Sequence, residues 1–315
     1  MNEERGLLSA AWRVVTDNKR YIFWFWALNL TLAEFGASAY RNNLHSILDG
    51  SQEADRLVHG FNAATFIELL SRPEMGSLSA SRMPTMFFGL IFVIAMLFFM
   101  PGVIRQYTSG FRVAREEFWR TCGRNLWRFV RLVLFYALFA IPTAGILFSI
   151  RGALTGAAEK STNEVLPFYV GTIALIVIFL VMTVLRIWFD LAEVDIVVRD
   201  QSAVRKSVGN GFRYTRRFLG KLLGAYLAVS LIALIVLLAG VWLWHVLVSP
   251  ASVFGALLIS QLMMVLWLCM RLWQHAIASV FYLREMLVAP GYSRPITSEG
   301  GAVAVSAPAP VGGLS

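Results

Sequence analysis

Charged residues are scarce: they make up 15% of the 315 residues, against 57% hydrophobic, and the mean hydropathy is +0.64. A soluble domain carries about a quarter charged residues. Cysteine is nearly absent, with only Cys122 and Cys269 far apart in the chain. This excludes a disulfide framework and any cysteine-based metal spacing. The four histidines, His45, His59, His245 and His275, are scattered. A lone histidine is more often a packed or interfacial residue than a ligand, so no metal site and no cofactor are expected. Phosphate-binding glycine loops, HExxH and GxSxG are all missing. No segment outside the apolar runs is long enough for a catalytic domain. The expectation is therefore a non-enzymatic protein.

What is present is a set of long apolar runs. A hydrocarbon core of about 30 Å takes roughly 20 apolar residues in a helix, and backbone groups in lipid must be satisfied within the segment. Six stretches qualify: Tyr21–Tyr40, Thr85–Ile104, Leu132–Ile150, Leu166–Leu185, Leu222–Val248 and Ser252–Met270. The first is the weakest, because it holds Asn29 and Glu34. The opening segment has mixed charge and lacks the apolar core and cleavage site of a secretory signal, so the first run reads as a retained signal-anchor. The fold class is then all-α, a polytopic bundle of six transmembrane helices. Residues 1–289 form a single transmembrane domain, and the Pro-, Gly-, Ala- and Ser-rich residues 290–315 form a disordered cytoplasmic tail.

The net charge of +9 is unevenly placed. Lys and Arg number nineteen on the side holding the N-terminus, Arg105–Arg131 and Arg186–Lys221, and six on the side holding 41–84 and 151–165. The positive-inside rule makes the basic side cytoplasmic, with both termini inside. Basic residues at the ends of apolar runs suit anionic lipid headgroups rather than nucleic acid.

The chain also repeats. Each outward-going run follows a similar cytoplasmic segment: Trp12–Tyr21, Trp119–Phe129 and Val204–Tyr214, each with an Arg, an Asn five residues on (Asn18, Asn125, Asn210) and a closing aromatic. Each returning run ends in an Arg followed two residues later by an aromatic: Arg105, Arg186 and Arg271. Arg120 to Arg186 spans 66 residues, and so does Arg205 to Arg271; Arg13 to Arg105 spans 92. The surplus falls in 41–84, an outer-face insertion with an amphipathic stretch at Leu57–Leu70 that could contact a protein partner. Three hairpins of like orientation about an axis along the membrane normal are expected.

Three groups of residues could carry function. Arg105, Arg186 and Arg271, with Arg120 and Arg205, would form a positive collar binding anionic phospholipid; a basic residue near such a surface gains about 1 kcal/mol. Asp190 and Glu193 share a helical face with Arg186 and read as structural ion pairs, with Arg271 as a further partner. In Phe111–Arg131, an apolar face (Phe111, Ala114, Phe118, Cys122, Leu126, Phe129) opposes Arg120, Arg124, Arg128 and Arg131, as in a cytoplasmic interfacial helix. Gly220 and Gly224 match a small-xxx-small packing pattern. The balance favours a membrane scaffold or accessory component, the alternative being a transporter or lipid-handling protein. Oligomeric state is not legible.

The stretch EVDIVVRDQSAVRKSVGNGFRYTRRFLGKLLGAYL, from Glu193 to Leu227, resembles the membrane domain found beside some bacterial glycerophosphodiester phosphodiesterases and in related six-helix membrane proteins. The opening SAAWRVVTDNKRYIF and the segment AIASVFYLRE, from Ala276 to Glu285, are similar to that family as well. The catalytic domain and its acidic metal ligands are missing, so hydrolase activity is not carried over, and the resemblance implies a bacterial inner-membrane protein.

Single-cysteine labelling checks the topology. A cysteine at residue 60 or 160 is expected to react with an impermeant reagent from outside, and one at residue 315 only from inside. Reaction of residue 60 from the cytoplasmic side alone would reverse the assignment.

Overall fold

The computed structural model describes residues 6–48, 82–163, 165–248 and 252–287. Every regular element among them is helical: α1 Leu7–Asp17, α2 Arg20–Leu48, α3 Arg82–Ser109, α4 Arg115–Ala158, α5 Leu166–Arg199, α6 Val204–Arg217, α7 Leu219–Leu247 and α8 Val253–Tyr282, the last running into a π turn at Leu283–Leu287. Most of the expected insertion (49–81, with Leu57–Leu70), the turn at 249–251 and the tail at 290–315 lie outside the described residues.

Five helical stretches are long and apolar enough to cross a membrane: Met86–Ser109, Arg115–Ala158, Leu166–Arg199, Leu219–Leu247 and Phe254–Met286. The chain is accordingly a multi-pass helical membrane protein. α2 is as long as the others but is not among the five; Asn29 and Glu34 interrupt its apolar run. Glu34 instead pairs with Arg41, Nη1 to Oε1 2.8 Å, on an exposed face.

Two sequence expectations are corrected by α4. The amphipathic segment and the third apolar run form one helix, and that helix continues to Ala158 through the expected outer loop. No Gly–Pro pair or polar turn separates the two parts, Glu116 and Glu117 favour the N-terminus electrostatically, and Pro142 sits where a membrane helix tolerates it. At 1.5 Å per residue its 44 residues reach about 66 Å, twice the hydrocarbon thickness. The Arg-rich half therefore projects beyond the apolar half. Along it Cys122 and Phe129 are buried and Phe118 and Leu126 half-buried, as the amphipathic pattern requires, while Phe111 and Ala114 precede the helix and are exposed. At the other two basic segments the helices are separate: α1 is capped at Asn18 before α2, and α6 at Phe218 before α7.

Burial is concentrated at one end of the bundle. The most apolar 18 residues of α4 are 6% buried, and those of the other four candidate spans 22–28%. By contrast Leu272–Tyr282 of α8 is buried at every position. Around it lie Met100–Tyr107 of α3, Leu185–Val197 of α5 and Leu222–Val229 of α7, each contributing most of the buried side chains of its helix. α8 touches α1, α2, α3, α5 and α7. α1 closes the assembly over α8: the Trp12 and Trp273 rings are 4.8 Å apart, and Trp273 Nε1 donates to the Leu8 carbonyl at 3.1 Å.

The small-xxx-small pair makes no close contact, since a side chain at Gly220 or Gly224 would meet nothing within 4 Å. Close approach occurs at Gly211, where α6 crosses α5. A Cβ there would lie 2.7 Å from the Trp188 carbonyl and 3.2 Å from the Ala192 nitrogen, both main-chain atoms. Trp188 Nε1 also donates to the Val208 carbonyl at 2.7 Å, which fixes α6 across α5. Gly211→Ala should therefore cost about 1–3 kcal/mol as an overpacking change, read as a lower Tm in detergent. Gly209→Ala, which meets nothing within 4 Å, is the control. Equal Tm values for the two variants would place α6 off α5.

Candidate functional site

The packed end contains two acid–arginine–tyrosine clusters on consecutive turns of α5. The first centres on Asp195, which is fully buried. Tyr282 of α8 donates its hydroxyl to Asp195 Oδ1 at 2.6 Å, Arg199 Nε reaches the same oxygen at 3.1 Å, and Asn210 Nδ2 of α6 donates to Oδ2 at 3.4 Å. Arg199 also donates to the Tyr282 hydroxyl at 2.7 Å and, through Nη2, to the Tyr214 hydroxyl at 3.1 Å. Both carboxylate oxygens are occupied, and three helices are joined through one buried charge. A buried carboxylate is tolerated only when paired and hydrogen-bonded in this way.

The second cluster centres on Asp190 and is organised differently. Tyr226 of α7 donates to Asp190 Oδ2 at 2.8 Å, and Arg186 Nε stands 3.7 Å from that same oxygen. Oδ1 faces α8, where His275 Nδ1 is 3.9 Å away. Glu193 Oε2 lies 3.6 Å from the same ring nitrogen. These separations exceed hydrogen-bonding length. Glu193 Oε2, both ring nitrogens of His275, and Nε and Nη2 of Arg186 are buried without a hydrogen-bond partner among the described residues. His275 is 2% exposed and Asp190 3%. Asp190, Glu193 and His275 each present one ligand-type atom, and the three atoms lie within 4.8 Å of one another.

The structure thus brings Arg186, Asp190 and Glu193 together as their shared helical face requires, but Arg271 is not among the partners of either acid. The remaining arginines of the expected collar share no partner among the described residues. Arg105 pairs with Glu117 through Nε and Nη2 at 3.2 and 3.1 Å, and Arg120 pairs with Glu116 one turn away at 3.1 Å on an exposed surface. Arg205 is exposed on α6, and Arg271 is half-buried. Arg128 turns from the exposed face of α4 to Asp200, which Arg124 also reaches at 3.2 Å. Asp200 caps α5 in the left-handed conformation, φ 51°, so the two arginines of α4 grip the corner where α5 turns into α6.

His275, Tyr226 and Tyr282 were not legible as site residues. Each is separated from its acid on α5 by 36–87 positions, and no local spacing ties it to that acid. No family model, curated protein or solved structure matches the chain.

The closed cluster yields a stability prediction. Tyr282→Phe removes a buried donor from Asp195 and an acceptor from Arg199. Leaving such groups short of partners costs about 1–3 kcal/mol, so the variant should melt below wild type in the same detergent. An unchanged Tm would show that the Asp195 cluster does not hold α5, α6 and α8 together.

Proposed function

We propose that this chain is a non-enzymatic scaffold or accessory component of a bacterial inner membrane. It has six spans and both termini in the cytoplasm, and its packed end gathers anionic phospholipid at the cytoplasmic face. The observation that carries this reading is the location of burial. The apolar stretches are 6–28% buried, whereas the ends of α3, α5, α7 and α8 enclose one another. Lipid tails are as apolar as leucine, so spans that only anchor need little mutual packing. A transporter needs a pathway enclosed by its spans, and such low burial disfavours one. The feature on the transporter side is the buried cluster at Asp190, since charges at or near membrane depth mark ion pathways in many proteins.

The lipid-facing element is α6. Val204, Ser207, Val208, Gly211 and Thr215 form its buried side, and Arg205, Lys206, Arg213, Arg216 and Arg217 are exposed, with no acid in the helix. Five cations at the membrane surface amount to about 5 kcal/mol of attraction to anionic lipid, less what salt screening removes. Arginine adds bidentate recognition of phosphate. Arg120 of α4, paired with Glu116, and Arg105, paired with Glu117, are the further members of the proposed collar.

Replacement of the five α6 cations by Gln tests the reading. Native mass spectrometry of protein taken from membranes should show retained anionic phospholipid falling by at least half, with elution and Tm close to wild type. Equal retention by a folded variant would sink the proposal and leave these residues as topology anchors.

A further inference from the structure

The open cluster between α5 and α8 has the arrangement of a metal site, and we infer that Asp190, Glu193 and His275 bind one divalent first-row transition ion, zinc in the first instance. The inference is independent of the lipid reading above and rests on how the atoms of the cluster are distributed. The two oxygens of Asp190 are divided between tasks. Oδ2 takes the Tyr226 hydroxyl at 2.8 Å and faces Arg186 at 3.7 Å, while Oδ1 is turned to His275. A ligating carboxylate is commonly oriented in this way, one oxygen held by outer partners and the other presented to the ion. Tyr226 is itself fixed, because its hydroxyl also reaches the Gln274 carbonyl at 3.2 Å, one residue before His275.

The distances discriminate a metal from a proton. A proton shared between His275 and an acid would draw nitrogen and oxygen to about 2.7–2.9 Å. The observed separations from Nδ1 are 3.6 Å to Glu193 and 3.9 Å to Asp190. Two ligands of one ion, each at about 2.1 Å from it, can stand up to about 4.2 Å apart. Both separations fall in that window, and the three atoms all lie within 4.8 Å of one another, so any pair wider than the window has at most about 0.6 Å to close.

Charge and burial agree. With His275 neutral, Arg186, Asp190 and Glu193 sum to −1, and a divalent ion carrying one bound hydroxide makes the cluster neutral. A zinc-bound water loses its proton near pH 7, and Arg186, with two buried nitrogens that make no hydrogen bond among the described residues, is available to donate to the hydroxide. Imidazole with two carboxylates suits zinc, with manganese the next choice. Neither cysteine belongs to the cluster. Three protein ligands on α5 and α8, with Tyr226 of α7 behind them, would make the ion a clasp across the packed end.

The full chain, purified in detergent without chelator, should contain about one equivalent of zinc or manganese. After stripping with chelator it should rebind Zn2+ or Co2+ at one site, with a rise in Tm. The Co2+ form should show visible d–d absorption without a thiolate charge-transfer band. Glu193→Gln and His275→Gln should weaken binding by tenfold or more. Failure of stripped wild-type protein to bind Zn2+, Mn2+ or Co2+ would overturn the proposal and leave a protonated or hydrated cluster. Binding as tight as wild type in folded variants, or a thiolate band, would place the ion elsewhere and overturn it equally. The wild-type titration and spectrum decide the matter even where a variant does not fold.

Discussion

The structure depends on the enclosure of the final three turns of α8. Leu272–Tyr282 has no exposed position, so its polar groups can find partners only inside the protein. Ser279 bonds back to the His275 carbonyl at 2.9 Å. Gln274 reaches Ser230 at 3.4 Å, and Tyr282 reaches Asp195. A helix surrounded on all sides is ordinarily apolar all round. The polar residues on α8 instead meet polar residues of α5 and α7, and these meetings set the register of the three helices against one another. Dispersion and apolar burial hold the packed end closed, but they are tolerant of a slip by one turn. The Tyr282–Asp195–Arg199 contacts are not, because a slip strands a buried carboxylate. The Asp190 cluster differs in kind: it keeps its orienting bonds on one carboxylate oxygen and leaves the other groups facing one another across a gap.

The same enclosure accounts for the uneven distribution of burial. Water drives apolar surfaces together, and lipid does not. The packed end of the bundle builds a core of the soluble kind, with Phe129, Tyr226, Phe281 and Tyr282 fully enclosed. Within the stretches themselves the surfaces of α4 and α5 are left open. The length of α4 links the two regimes, since one continuous helix passes from the open apolar section into the packed basic end. Its arginines then reach Asp200 at the α5–α6 corner, a contact that a helix stopping at the bilayer surface could not make.

The apolar runs of α3, α5, α7 and α8 are legible because lipid imposes one requirement, apolar side chains over a fixed length, that leaves a plain mark in sequence. The amphipathic faces of α6 and of the first half of α4 are legible for the related reason that one side meets protein and the other does not. The junction of those two regimes in α4 is not legible: nothing local distinguishes a helix that continues from one that breaks, and α1–α2 and α6–α7 break with no proline at the junction. In the candidate site, Arg186, Asp190 and Glu193 are visible together because spacings of four and seven are fixed by the helix itself. Their partners Tyr226, His275 and Tyr282 come from other helices, and which residues meet across a helix contact is decided by crossing geometry, which a single sequence does not contain.

The two helices present their polar groups at matching offsets from an arginine. Asp190 follows Arg186 by four residues on α5, and His275 follows Arg271 by four on α8. They face one another at 3.9 Å across the α5–α8 contact. On α3 the residue four after Arg105 is Ser109, whose hydroxyl serves the Gln106 and Phe111 carbonyls and not the cluster. The contact is therefore made by α5 and α8 without α3. Two acids at these positions would repel, and two leucines would only pack; one acid opposite one imidazole makes the contact polar and asymmetric.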